Sequence, residues 1–109
     1  MPFAGKEVGI AHNMKMIEWL KVDLLSSVTA LFRGMARASE ELILDALASL
    51  IITCYVLGRR LGFSFSRLDL HLTARLRSGV ENGPAGEEWY QDLSALQEYL
   101  DTRQYTPKR

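Results

Sequence analysis

Between Asn13 and Ala36, Ile17, Leu20, Leu24, Val28, Leu31 and Met35 recur at steps of three and four residues. This spacing predicts one face of a long first helix, widened by Leu25 and Phe32, with Lys15, Glu18 and Lys21 lying off it. Asn13 is the expected N-cap, and Gly34 marks an expected kink or fray near the end. Ser39, Glu40 and Glu41 then read as a second helix start, because a serine caps and acids suit the positive helix end. That helix should run to Arg59, Arg60 and Leu61, with Gly62 as its C′ residue. The short link between the two predicts antiparallel neighbours.

The stretch from Leu42 to Leu57 is apolar almost without interruption, apart from Asp45. It falls short of the roughly 20 residues a membrane span needs, so a buried or oligomer-facing helix is the expectation. Further on, Leu68, Leu70 and Leu72 alternate like a strand, while Leu68, Leu72 and Leu76 have helical spacing. A helix over 67–76 is preferred because no other segment offers a partner strand. SGVENGPAG reads as a loop. Trp89, Leu93, Leu96 and Leu100 mark a last amphipathic helix over about 87–102, with Trp89 and Tyr90 as core anchors. The layout is an N-terminal arm (1–12), one helical domain (13–103) and a frayed tail (104–109). The fold class is all-α, with about four helices. The second helix is apolar on nearly every side, so oligomerisation should complete the bundle, most simply as a dimer or tetramer.

Composition narrows the classes. The chain has 109 residues, 48% of them hydrophobic, with 13 Lys plus Arg against 13 Asp plus Glu. Zero net charge argues against nucleic acid and anionic membranes as partners. A single cysteine, Cys54, rules out an internal disulfide framework, and its apolar surroundings predict a buried thiol. The N-terminus lacks the apolar core of a signal peptide, so the expected compartment is the cytoplasm.

The succession DLLSSVTALFRGM, a short polar turn, SEELILDALASLIITCYVLGRRLGF and a third segment ending in RLR resembles the MazG-like family of all-α NTP pyrophosphatases, over about Ile17 to Arg77. The resemblance implies an EExxE pattern on the first helix and ExxD on the second. Those acids would hold magnesium, which grips the substrate phosphates and activates water. Here the first pattern falls on Ser26, Ser27 and Ala30, and the second on Ala46 and Ser49. Every acid is replaced by a small residue, so no metal ligand carries over and no cofactor is expected. Facing carboxylates repel one another without a cation, whereas serines and alanines permit close helix approach.

The expectation is therefore a non-catalytic relative that acts as an oligomeric scaffold, regulatory or binding module. The alternative is a Mg2+-dependent pyrophosphatase with a site rebuilt from Asp23, Glu41 and Asp45, or a nucleotide binder without hydrolysis. Glu41 and Asp45 share a helix face, but in an antiparallel pair Asp23 should meet the later part of the second helix. Arg59, Arg60, Arg67, Arg75 and Arg77 form a candidate basic strip. Arg75 and Arg77 fall near the family's basic positions after the second helix, which help bind phosphates, though helix-end charge on a solvated face explains them as well. His71 has no metal-spaced partner, and Ser26 and Ser27 have no adjacent base to make either a nucleophile.

Overall fold

A computed structural model describes the backbone over residues 2–82 and 87–105 and the side chains over residues 9–80 and 88–103. Four helices follow in order: α1 (Pro2–Ala36), α2 (Glu40–Arg60), α3 (Phe65–Asn82) and α4 (Glu87–Tyr105). No strand occurs among the described residues, so the all-α reading holds and 67–76 is helix. Residues 83–86 and the tail 106–109 lie outside the described residues. The chain divides into two compact units, Met1–Phe65 and Ser66–Arg109.

α1 begins eleven residues before the expected start, so the segment read as an arm is helical. Pro2 occupies the first helical position, where its missing N–H costs nothing. Asn13 is consequently no cap. Its Nδ2 donates to the Arg60 carbonyl at 3.0 Å, and Arg60 Nη1 donates back to Asn13 Oδ1 at 3.3 Å. This exchange ties the middle of α1 to the end of α2.

The turn between α1 and α2 is determined by its backbone hydrogen bonds. Ala38 N–H donates to the Met35 carbonyl at 3.1 Å, and Ser39 N–H to the Gly34 carbonyl at 3.0 Å. This is a Schellman closure with Ala38 at the left-handed position, φ 54°. Ser39 also caps α2, its hydroxyl accepting from Leu42 N–H at 3.3 Å. Gly34 neither kinks nor frays α1. It is buried, and a Cβ there would lie 3.1 Å from Ile43 N and 3.2 Å from Leu42 C and Cβ, so only glycine lets the helices meet without displacement. α2 ends in a second Schellman closure, as expected at Gly62 (φ 105°). Gly62 N–H donates to Arg59 O at 3.0 Å, and Phe63 N–H to Gly58 O at 2.9 Å.

The α1–α2 seam follows a seven-residue step. Leu20, Ser27 and Gly34 are buried from α1, and Ala46 and Thr53 from α2. This is the repeat of an antiparallel coiled coil, here built largely of small side chains. Such a seam brings backbones close but removes little apolar surface from water. One flank of the hairpin stays open and apolar: Leu25 is 70% exposed, Phe32 63% and Ile51 59%, with Met35 and Leu47 also exposed. α2 is long and apolar enough to cross a membrane by length and composition alone. Cys54, expected to be buried, is exposed on this helix.

In the second unit, α3 continues to Asn82, through residues expected to form a loop. Gly79 sits inside it, and a Cβ there would meet the movable tip of the Leu93 side chain, Cδ1, at 2.9 Å. Leu76 is buried, but Trp89 and Tyr90, expected as core anchors, are exposed.

Candidate functional site: a groove of small residues

The hairpin brings together the five positions on which the resemblance lays the acidic motif. Ser26, Ser27 and Ala30 of α1 and Ala46 and Ser49 of α2 line one groove of ≈ 290 Å³, with Leu42 and Asp45 completing its wall. These positions divide by depth. Ser27 is 7% exposed and Ala46 4%, so they form the floor where the helices touch. Ser26, Ala30 and Ser49 are exposed and form the rims. Antiparallel pairing produces this meeting, since residues four and three apart on each helix present one face across the seam.

The remaining acids do not gather there. Asp23 lies farther along the seam, where its Oδ2 accepts a 2.7 Å hydrogen bond from Thr53 Oγ1. Asp45 is on the groove wall, and Glu41 is exposed and lines no part of it. Among the described residues, no group of three or more His, Cys, Asp or Glu comes together. A hard divalent cation needs several clustered oxygen ligands. One carboxylate among serines and alanines does not fit magnesium.

Arg75 and Arg77 are exposed on α3, two residues apart and so about 200° apart around the helix. They do not share a face. Arg59 lies 5.5 Å over the Phe65 ring, which also meets Tyr55 edge-on at 6.0 Å, so this arginine is held by an aromatic partner. His71 is exposed on α3.

A second groove adjoins the first. Ser26, Ala30 and Leu42 belong to both, and Thr29, Arg33 and Arg37 extend the second one to ≈ 390 Å³. The sequence carries a signal for it, two arginines one turn apart beyond the motif positions, but the apolar period of α1 draws the reading to the opposite flank.

Two long antiparallel helices facing each other across one groove are the framework that the resemblance implies. The MazG-like family model matches residues 10–93. The chain belongs to the MazG-like family. Membership brings an NTP pyrophosphatase-related fold, and the match spans α1 from Ile10 onward, all of α2 and α3, and the start of α4. No curated protein and no solved structure matches the chain. Within this framework, the two facing helices present hydroxyls and methyls around the single carboxylate of Asp45.

Proposed function

We propose that this MazG-like protein is a non-catalytic relative of the nucleoside triphosphate pyrophosphohydrolases, acting in the cytoplasm as a homo-oligomeric scaffold, regulatory or binding module. The observation that carries the reading is the groove lined by Ser26, Ser27, Ala30, Ala46 and Ser49, with Asp45 as its one carboxylate. Without clustered acids there is nothing to bind the cation that would neutralise a triphosphate and activate water.

The oligomer rests on the buried core. Among the described residues, the buried apolar ones are Leu20, Ala46 and Leu76, and no large side chain is fully buried. The open flank of α1 and α2 presents Leu25, Phe32, Met35, Leu47 and Ile51 to solvent, an apolar face of the kind that marks an association surface. A second copy covers it most simply through a twofold axis. A membrane is the other place for an apolar helix, but the match over both helices of the hairpin favours burial against protein.

Two measurements test this. Purified protein with a panel of NTPs and dNTPs plus Mg2+ or Mn2+ should release no pyrophosphate. Turnover abolished by Asp45→Asn would overturn the reading and favour a rebuilt site. Light scattering in detergent-free buffer should give a dimer or tetramer at micromolar concentration; a stable monomer would contradict it.

A further inference from the structure

We infer that the groove beside the emptied metal site binds a single phosphate group directly, through Arg33 and Arg37, without a divalent cation. The two arginines stand one turn apart on α1 and line the same groove. Neither is within ion-pair reach of a carboxylate among the described residues. Both side chains are exposed, so their donors are hydrated rather than committed to protein acceptors. Glu40 and Glu41, at the nearby start of α2, do not line the groove.

The chemistry at its walls selects among anions. Guanidinium forks match the oxygen geometry of phosphate and give charge-assisted, paired hydrogen bonds. Ser26 adds a hydroxyl with no protein partner. Thr29 does not, because its proton is committed to the Leu25 carbonyl at 3.2 Å. Ala30 and Leu42 form an apolar stretch leading into the neighbouring groove, where Asp45 stands. The combined surface is thus cationic at one end and anionic at the other. A ligand with one phosphate at the arginines and an uncharged, hydrogen-bond-donating body toward Asp45 fits this polarity. A triphosphate pushes further negative charge toward Asp45. The structure thus assigns the groove to a phosphomonoester, with binding strength that falls as phosphates are added.

This inference rests on the loss of the metal site, and chelation separates the two. Calorimetric titrations in EDTA should show saturable binding of inorganic phosphate and of adenosine monophosphate, with the triphosphate weaker than the monophosphate. Arg33→Gln/Arg37→Gln should weaken both at least about 10-fold, with helical circular dichroism unchanged. Arg33→Lys/Arg37→Lys, which keeps the charge but loses the fork, should lie between that variant and the wild type. Asp45→Asn should strengthen triphosphate binding more than monophosphate binding. Arg75→Gln/Arg77→Gln should leave all affinities unchanged. No binding of phosphate or monophosphate at 10 mM, with or without Mg2+, would overturn the anion site alone. Equal binding by the Arg33/Arg37 variants would also overturn it. Binding that appears only with Mg2+ would overturn both this site and the loss of the metal centre.

Discussion

Returning acids to the rims of the groove should return a metal response. Ser26, Ala30 and Ser49 are exposed on the walls that also hold Asp45, so Ser26→Glu, Ala30→Glu and Ser49→Asp introduce carboxylates without displacing the buried Ser27 and Ala46. Carboxylates about 6 Å apart in a water-filled groove repel by roughly 0.7 kcal/mol per pair. With a few close pairs, the triple variant should lose about 1–3 kcal/mol at low salt. A cation at 100 times its dissociation constant stabilises the folded state by about 2.7 kcal/mol, enough to offset most of that loss. In a domain of this size each kcal/mol moves the midpoint by about 4–8 °C. Thermal unfolding followed by circular dichroism should therefore show the variant melting about 4–24 °C below the wild type in EDTA. Millimolar Mg2+ or Mn2+ should raise it by about 10–20 °C, and leave the wild type unmoved. A variant that ignores the cation would refute the facing geometry of these positions. A wild type that shifts equally would refute the loss of the site.

Three further outcomes follow from the hairpin. Thr53→Val removes the hydroxyl that donates to Asp23 and leaves a half-buried carboxylate without its partner; chemical denaturation should show a loss of about 1–3 kcal/mol, and Asp23→Asn/Thr53→Val should lose less than the separate changes added together. Gly34→Leu forces a side chain into backbone atoms of α2 that already stand 3.1–3.2 Å from a Cβ, so it should cost more than about 2 kcal/mol and reduce oligomer content; wild-type stability would show that the turn is looser than described. Ala38→Gly relieves a left-handed residue at the end of α1 and should stabilise by up to about 1 kcal/mol, read as a higher denaturant midpoint at unchanged slope.

The elements with strong helical period were legible in the sequence. Leu20, Leu24 and Leu31 fixed the face of α1, and Ser39 and Gly62 marked both ends of α2, because caps depend on local chemistry that the residues themselves carry. Asp23 was placed against the later part of α2 from the antiparallel geometry, and it meets Thr53 there. The meeting of the five small motif positions followed from the same geometry. Other features depend on close approach, which single residues do not announce. Gly34 looks like a breaker until Leu42 and Ile43 are seen against it. The segment 1–12 was expected to be an arm, yet from Pro2 onward it lies within α1. Cys54 is apolar enough to predict burial, but the small-residue seam of α1 and α2 leaves too little interior to hold it; Trp89 and Tyr90, also apolar, are exposed on α4. The Arg33–Arg37 groove was hidden for another reason: hydrophobic period directs attention to the apolar flank, and these arginines lie on the other.

The proposed loss of the metal centre is tested most directly by titrating the wild-type protein with Mn2+, whose free and bound forms are distinguished by electron paramagnetic resonance. The account predicts no saturable site tighter than about 1 mM, as expected where one carboxylate stands among hydroxyls and methyls. A stoichiometric site in the micromolar range, weakened by Asp45→Asn, would contradict it.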